Sequence, residues 1–528
     1  MIKNMIEFCL TLMSIIYMAN SQKKLPKYRC GSDFINKEII EIDSKPIDHN
    51  NPLYKRRLQD IDNDGFKNFN IFIDTTNLEN QLKAFKLKNQ TNLYINSITK
   101  VKETLQKLLK VKSLEIDFNL EDDDLTYYFG VNFWDKEKFG SEAKEKGINL
   151  FSLGIDLVIF PILEQMETNV IAAAAPIFVD SETGQPIAGL IYINKNLDYL
   201  TNNFEEFFQS TILHELTHVL GFSFRHFDIY LNNLLIKDNV FYVNSTKVIQ
   251  VAKKYFNCSD IEGVALEDFG DSGTAGSHWE ARILLGDYMN GYIFPEEQVI
   301  SEFTLALLED TGYYKANYYS GGLMRYGKGK GCDFIKKRCV NSSHEINPKF
   351  ENEFFDSIHS DYSIDNSCSS GRQSRTYSIL YYYNETNETE LSGYKPADSC
   401  PIFRGDYSEQ MINYYIGHCS SKGSGEYGML IQNKDAAYNI SEEIELITGE
   451  TYSDHSFCYL SSLIKNEDNQ IFNYSGIVRA ICFETFCSSK SLTVKIHNDY
   501  IVCPREGGKV QIENYDGYFL CPDYNLIC

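Results

Sequence analysis

The stretch Thr211-Ile212-Leu213-His214-Glu215-Leu216-Thr217-His218-Val219-Leu220-Gly221-Phe222 contains the motif H-E-x-x-H, with a glycine three residues after the second histidine. On a helix, His214 and His218 are four residues apart, so both side chains lie on one face. Two imidazoles at this spacing can bind one Zn²⁺, and Glu215 can reach a water on the open side of the metal. The stretch therefore predicts a zinc-binding helix, but it does not contain a third ligand.

The segments around this helix predict an α+β fold. Three stretches with the apolar pattern of strands are Phe69–Asp74, Asp156–Leu163 and Ile187–Ile193. Helical spacing of apolar residues predicts a long amphipathic helix, through Ile98, Val101, Leu105, Leu108 and Val111. Strands and helices in this order are typical of a mixed sheet with helices packed on it.

Short polar residues and glycines indicate where two helices begin and end. Thr201 or Asn203 could cap the motif helix, and Gly221 is placed to end it. A later helix is expected to begin after Ser301 and to end before Gly312.

The composition is that of a globular protein and excludes one class of partner. Apolar residues make up 43% and charged residues 23% of 528 residues, enough for several domains. The net charge of −23 argues against a nucleic-acid partner, which requires clustered Lys and Arg.

The sequence predicts export from the cell. Residues 1–21 resemble a secretory signal peptide, and no later apolar stretch is long enough to span a membrane. The C-terminus lacks the hydrophobic tail of a GPI signal, so the mature protein is expected to be free in the secretory pathway or outside the cell. N-glycosylation motifs agree with this route and begin at Asn89, Asn244, Asn257, Asn341, Asn384, Asn387, Asn439 and Asn473.

The cysteines predict six disulfides and one spare thiol. Of 14 Cys, Cys9 leaves with the signal peptide, and eleven lie between Cys332 and Cys528. Cys258 makes twelve, which leaves Cys30 unpaired; the alternative is that Cys30 joins a disulfide and another cysteine is free. The last third, rich in cysteine and poor in long apolar runs, is expected to be a β-rich domain stapled by disulfides.

The third metal ligand remains open from spacing alone. Position 224, ten residues after the first histidine, carries Phe224, which cannot bind a metal. His226 lies in a poor register for the same turn, and His278 lies further along the chain. Three downstream acids could supply a carboxylate, namely Glu280, Glu302 and Glu309.

Taken with its downstream segments, the chain resembles the leishmanolysin family, the M8 zinc metalloendopeptidases of the metzincin clan. That family separates the glycine of the motif from the third histidine by an inserted domain. Gly276-Ser277-His278-Trp279-Glu280 resembles the second half of the family motif, and Met289 stands at the place of the methionine beneath the zinc. The resemblance implies one Zn²⁺ held by His214, His218 and His278.

The resemblance also implies a domain order, in which a metzincin-type catalytic domain is followed by an inserted middle domain and a cysteine-rich domain. The expected boundaries are a signal peptide at 1–21, a propeptide at 22–68, a catalytic subdomain at 69–226, a middle domain at 227–335 and a C-terminal domain at 336–528. In the family, a propeptide cysteine occupies the metal until activation, and Cys30 stands at its place. Cleavage near Lys55–Arg57 would release it.

These features predict a zymogen of a secreted zinc endopeptidase that acts on proteins or peptides. Glu215 is expected to take a proton from the water and to deliver it to the leaving amine. An extended substrate would pair with an edge strand formed by Gly189, Leu190, Ile191, Tyr192 and Ile193. One alternative is a glycosylated adhesion or binding protein, whose cysteine-rich last third engages a cell surface and whose zinc site is secondary. A second alternative is a zinc peptidase of another clan.

Overall fold

The computed structural model describes residues 40–42, 61–87, 91–114, 119–120, 148–166, 170–195, 205–269, 274–291, 298–320 and 324–339, and then 366–369, 372–378, 381–383, 390–392, 395–398, 400, 402–404, 419–420, 448–465, 479–522 and 524–528. Several predictions concern residues outside this set: the signal peptide, Cys30, the cleavage site at Lys55–Arg57, and the caps Thr201 and Asn203.

A five-stranded mixed sheet supports the motif helix. The strands up to residue 194 are β1 (Ile40–Ile42), β2 (Phe66–Asn68), β3 (Ile71–Ile73), β4 (Leu109–Lys112), β5 (Asn119–Leu120), β6 (Ile148–Asn149), β7 (Leu157–Glu164), β8 (Ala172–Asp180) and β9 (Pro186–Asn194). The sheet has the order β1-β8-β9-β7-β3. Strand β8 is antiparallel to β9, and the other neighbours are parallel. This mixed sheet agrees with the predicted α+β class.

The motif helix packs against both this sheet and a second helix. The helices are α1 (Thr76–Ala84), α2 (Thr91–Leu108), α3 (Leu150–Leu153), α4 (Glu205–Val219), α5 (Phe224–His226), α6 (Thr246–Phe256), α7 (Ala281–Leu284), α8 (Glu302–Asp310), α9 (Cys332–Lys336) and α10 (Tyr524–Ile527). Helix α4 carries the motif and packs on β8, β9 and α2. The rings of Tyr94 and Phe208 meet edge to face in this helix interface, at 5.1 Å between centroids.

The predicted amphipathic helix is confirmed except at its end. Ile98, Val101, Leu105 and Leu108 are buried on one face of α2. Val111 lies instead on β4, where buried and exposed residues alternate because the backbone is extended. Ser301 caps α8, since its hydroxyl accepts hydrogen bonds from the N–H groups of Phe303 and Thr304.

The edge position predicted for the strand Gly189–Ile193 is wrong. This strand is the central part of β9, which is hydrogen-bonded to β8 on one side and to β7 on the other. Nearly every residue of β9 is buried, as expected for a strand covered on both faces. Both rows of backbone groups are therefore used within the sheet, and β9 has no free edge for a substrate. The outer neighbour of β8 is β1.

Gly189 has a different role, which is to let the motif helix approach the sheet. A Cβ built at Gly189 would stand 2.4 Å from Cγ1 of Val219, at the end of α4, and 3.3 Å from the carbonyl oxygen of Ala175. Val219 is fully buried and its branched side chain is stiff at χ1. The helix carrying the two histidines is therefore seated on the sheet at a position that only glycine fits.

We expect Gly189→Ala to lower the stability of the protein by about 1–3 kcal/mol, because the added methyl forces α4 away from the sheet. Thermal unfolding of the variant checks this. The double variant Gly189→Ala/Val219→Ala should recover part of the loss, since the two side chains compete for one space. A single variant as stable as the parent would show that the helix does not approach so closely.

The segment between Gly221 and Gly276 extends the same core. Its strands, together with the one after α8, are β10 (Leu234–Lys237), β11 (Val240–Val243), β12 (Val264–Ala265) and β13 (Tyr314–Ala316). One continuous hydrophobic core includes residues from Phe69 to Ile402, so the predicted catalytic and middle segments pack together. Strand β2, inside the predicted propeptide, pairs with β4, and Lys67 forms a buried ion pair with Asp156 at 2.5 Å. The domain boundaries stay predictions.

The C-terminal part is β-rich and disulfide-bonded, as predicted. Its strands are β14 (Asn366–Cys368), β15 (Arg375–Ser378), β16 (Tyr381–Tyr383), β17 (Glu390–Ser392), β18 (Phe403–Arg404), β19 (Ser456–Ser461), β20 (Ile464–Lys465), β21 (Arg479–Cys487), β22 (Leu492–Ile496), β23 (Asp499–Cys503), β24 (Gly508–Val510), β25 (Tyr515–Asp516) and β26 (Phe519–Cys521). Six of them form one sheet in the order β23-β22-β21-β19-β26-β24.

Six disulfides use all twelve cysteines from Cys258 onward, as the cysteine count predicts. The pairs are Cys258–Cys332, Cys339–Cys400, Cys368–Cys458, Cys419–Cys482, Cys487–Cys528 and Cys503–Cys521. Disulfides of this number are typical of proteins folded in an oxidising compartment. Within the described residues, no helix combines the length and the apolar character needed to cross a membrane.

Candidate metal centre

Helix α4 buries both histidines of its motif. His214 and His218 are 2% and 1% exposed, and their rings meet edge to face at 4.8 Å between centroids. The helix ends at Val219, and Gly221 follows with a φ of +116°, a conformation that favours glycine. The chain turns there, so that the carbonyl of Phe222 points back to the ring of His218.

His278, which is fully buried, completes a group of three imidazoles. The Nε2 atom of His214 lies 3.1 Å from that of His218 and 3.2 Å from that of His278. The candidate ligand atoms of the three residues all lie within 4.8 Å of one another. Four tetrahedral ligands at the usual Zn–N distance stand about 3.3–3.4 Å apart, so this spacing fits a single zinc ion.

Each imidazole is oriented by a backbone carbonyl on its other nitrogen. Nδ1–H of His214 donates to the carbonyl oxygen of Tyr288 at 2.6 Å. Nδ1–H of His218 donates to Phe222 at 2.5 Å, and Nδ1–H of His278 donates to Thr274 at 2.8 Å. Because a carbonyl can only accept, the proton of each neutral ring sits on Nδ1, and the lone pair of each Nε2 faces the centre of the group.

Burial keeps the three rings neutral. It lowers the pKa of His214 to about 4 and that of His278 to about 3, and it lowers the pKa of His218 well below its usual value. Three lone pairs therefore converge in a dry interior with no proton between them. Such an arrangement is repulsive unless a cation binds at its centre, and neutral imidazole nitrogen is a preferred zinc ligand. The residues present thus fit the predicted zinc ion.

The turn that contains Met289 is tied to α4 by two hydrogen bonds. The carbonyl of Tyr288 accepts from His214, and the hydroxyl of Tyr288 lies 2.8 Å from Oγ1 of Thr217 on the same helix. Met289 itself is fully buried beside this turn. Met289 therefore lies in a buried turn in which the backbone of its neighbour Tyr288 orients one of the candidate ligands, and its position beneath the metal stays a prediction.

Asp287 stabilises the same turn, and no pattern in the sequence indicates this role. This buried carboxylate accepts the N–H of Met289 at 2.6 Å, and it also accepts the hydroxyls of Ser301 and Thr304. The indole N–H of Trp279, next to His278, donates to Thr304 at 2.9 Å. Burial raises the pKa of Asp287 to about 6, against these hydrogen bonds, which lower it. One carboxylate thus connects the turn, the cap of α8 and the segment that carries His278.

The other candidate ligands lie elsewhere. Nε2 of His226 is 3.1 Å from the hydroxyl of Tyr313, and its ring packs beside Gly221, so this residue closes the turn after α4. Glu309 forms an ion pair with Lys247. Within the described residues, the three-histidine group contains neither these residues nor the remaining acids, Glu280 and Glu302.

Glu215 lies on α4 beside His214 and is 1% exposed. Its predicted role as the proton acceptor is a property of the reaction and stays a prediction. The same holds for Cys30, which lies outside the described residues. The backbone carbonyls that orient the three imidazoles have no signature in the sequence, so the spacing of side chains could not reveal them.

An H-E-x-x-H helix, a distant third histidine and a buried methionine turn define a class of zinc peptidase sites. A family model described as Leishmanolysin (Peptidase M8) matches residues 144–528, so the chain belongs to the leishmanolysin family. It is 24% identical to leishmanolysin of Leishmania tropica over 392 residues, which cover 71% of this chain and 54% of the relative. It is 25% identical to a leishmanolysin-like peptidase of Caenorhabditis elegans over 434 residues, covering 66% and 62% of the two chains.

A shorter region is more similar. The chain is 45% identical to a leishmanolysin-like peptidase of Drosophila melanogaster over 93 residues, which cover 18% of this chain and 14% of the relative. The chain spans little more than half the length of the Leishmania relatives, 54% and 59% in two of them.

Proposed function

We propose that this chain is a zinc-dependent endopeptidase. The observation that carries the proposal is the convergence of three neutral Nε2 lone pairs, from His214, His218 and His278, in a fully buried group. Membership of the leishmanolysin family supports it, because relatives of the family are described as peptidases.

In this proposal His214, His218 and His278 hold one Zn²⁺ through Nε2. The ion, when bound, supplies a Lewis acid that acidifies a water and polarises a carbonyl. Glu215 follows His214 on α4 and acts as the general base, taking a proton at its carboxylate and then giving it to the leaving amine. Tyr288, Phe222 and Thr274 keep the imidazoles in one tautomer through their carbonyls.

We place the substrate along β8 rather than β9. Without β1, strand β8 is the outer strand of the sheet next to the motif helix. Strand β1 comes from the predicted propeptide and runs parallel to β8, with Ile40 opposite Phe178 and Ile42 opposite Asp180. Backbone pairing of this kind is how an extended peptide adds to a sheet edge. Removal of the segment that contains β1 would expose that edge.

We further propose that the chain is secreted as a zymogen. In this zymogen Cys30 would act as a cysteine switch, that is, as a thiol that occupies the metal until activation. Pairing of all twelve cysteines from Cys258 onward supports the view that Cys30 is the spare thiol, ten residues before β1. A thiolate is a good zinc ligand and would compete with the catalytic water. The disulfides support folding in an oxidising compartment.

A chelator experiment separates this proposal from the adhesion alternative. The secreted chain, cleaved after Arg57, is expected to hydrolyse casein and to lose this activity with 1,10-phenanthroline. Stoichiometric Zn²⁺ should restore it, because the three histidines form the only three-imidazole group among the described residues. A binding protein with a secondary zinc site would bind zinc without cleaving casein under any of these conditions.

A further inference from the structure

A second group of residues that could bind a metal lies beside the segment that carries His278. We name it the carboxylate cluster, and it consists of Glu267, Asp268 and Glu280, whose ligand oxygens lie within 4.8 Å of one another. Glu267 and Glu280 are 1% and 3% exposed, whereas Asp268 is exposed at the surface. The cluster is thus a buried acidic pair with one carboxylate at its entrance.

One oxygen of this cluster lacks a hydrogen-bond donor. Oε1 of Glu267 accepts the N–H of Phe269 at 2.9 Å. Its Oε2 is fully buried and has no donor among the described residues. A buried carboxylate oxygen without a partner is costly, and native proteins satisfy nearly all such groups. Oε1 of Glu280 accepts the N–H of Arg282 at the start of α7, which leaves its second oxygen available.

The charges that face the cluster do not neutralise it. Asp398 lies close enough to raise the pKa of Asp268 and Glu280, so among the described residues four carboxylates face one guanidinium, that of Arg282. That guanidinium donates through Nε to Asp398 at 2.6 Å, and its other nitrogens donate to backbone carbonyls, including that of Phe334 at 3.0 Å. The local excess of negative charge and the unpartnered oxygen both point to a missing cation.

We infer that the carboxylate cluster binds a hard divalent cation, Ca²⁺. All of its ligand atoms are oxygens, which Ca²⁺ and Mg²⁺ prefer and which zinc and copper sites seldom use alone. Oxygens bound to one Ca²⁺ ion stand at most about 4.6–5.2 Å apart, and the ligand oxygens of the cluster lie within this limit. Mg²⁺ requires a smaller octahedron of oxygens with shorter metal–oxygen distances. We therefore expect it to bind the cluster more weakly than Ca²⁺ does.

The cation would link the segment that carries His278 to the neighbouring segment that carries Glu267. The N–H of Glu267 donates to the carbonyl of His278 at 2.9 Å, and the N–H of Glu280 donates to the carbonyl of Ala265 at 3.1 Å. Ca²⁺ between Glu267 and Glu280 would add a side-chain link to this short backbone ladder. It is thereby expected to stabilise the segment that positions His278, at a site distinct from the three imidazoles.

The competing explanation is protonation. Burial raises the pKa of Glu267 and of Glu280, and each is raised further by neighbouring carboxylates. A protonated pair needs no cation, and its stability would not respond to Ca²⁺. Calcium binding measured at constant pH therefore distinguishes the two explanations.

The test uses the zinc-loaded full chain carrying Glu215→Gln, which prevents self-cleavage. Calcium binding is measured by isothermal titration calorimetry, and Tm is measured by differential scanning calorimetry. We expect one Ca²⁺ per chain at about millimolar concentration, as in extracellular calcium sites, with a Tm rise of several degrees and a weaker effect of Mg²⁺. Glu267→Gln should lower the calcium affinity at least tenfold. Neither readout depends on peptidase activity, so failure of the proposed function would leave this result unchanged.

The matched control is Glu262→Gln, which removes an exposed acid of the same segment and should leave calcium binding as in the parent. If Glu267→Gln does not fold, Asp268→Asn at the exposed entrance gives the same comparison, with an expected loss of several-fold in affinity. The inference is overturned if the parent shows no calcium binding or Tm shift, or if the two cluster variants bind Ca²⁺ as tightly as Glu262→Gln does.

Discussion

Replacement of Glu215 by glutamine is expected to lower kcat/KM for casein peptides by about 10²–10⁴-fold, the usual contribution of a general acid–base residue. Glutamine has nearly the same shape as glutamate but cannot accept the proton of the attacking water. Glu215 is 1% exposed on the motif helix, so an isosteric change disturbs the packing little. The measurement is a progress curve on a quenched fluorescent peptide with the chain cleaved after Arg57.

The informative comparison is between activity and zinc content. Glu215→Gln should retain one zinc per chain, because the three imidazoles and the carbonyls that orient them are unchanged. A loss of activity with full zinc content separates the chemical step from metal binding. Hydrolysis at the rate of the parent would remove Glu215 from the mechanism. The matched surface variant Glu262→Gln is expected to keep the activity of the parent.

Much of the fold could be predicted from the periodicity of apolar residues, and the failures have physical reasons. Val111 fits the helical series that runs through Ile98 and Leu105, but it also fits the alternation of β4, in which Leu109 and Val111 are buried. A short apolar series that satisfies both periods cannot place the junction between a helix and a strand. The junction is set by pairing of β4 with β2 and β13, and these contacts lie far along the chain.

The position of β9 could have been predicted better. Its sequence, Pro186–Asn194, is nearly continuous in apolar residues, which is typical of a strand covered on both faces. An edge strand usually carries charges or alternates, because one of its sides faces water. The glycine at 189 pointed to a close approach rather than to a substrate. The pairing of β1 with β8 had no comparable signal, because three residues in a polar segment are too few to predict a strand.

At the metal centre, the ligand side chains could be predicted from the sequence, but the groups that orient them could not. The spacing of His214 and His218, together with the family resemblance for His278, predicted the three residues that the structure brings together. The carbonyls of Tyr288, Phe222 and Thr274 belong to ordinary backbone, and any residue could supply them. Asp287 reads as one acid among 73 Asp and Glu until its partners on α8 are known.

The second prediction with a large expected effect concerns His278, the proposed third zinc ligand. We expect His278→Ala to lower the zinc affinity by well over 100-fold, since loss of a mere hydrogen-bond partner of a ligand already costs about 10–100-fold. The alanine leaves His214 and His218 as a two-imidazole site, which cannot hold zinc against a competing chelator. Zinc retained after dialysis against a moderate chelator, measured by atomic absorption, gives the result directly.

His226→Ala is the control that makes this test specific. Both imidazoles are buried, at 0% for His278 and 2% for His226, so both variants lose the same side chain from the interior. His226 contacts Tyr313 and the turn at Gly221, and it stands outside the three-histidine group. Its variant is therefore expected to lose stability but to keep one zinc per chain. The reverse pattern, with zinc lost from His226→Ala and kept by His278→Ala, would move the third ligand to His226 and would leave the convergence of the three Nε2 atoms without a function.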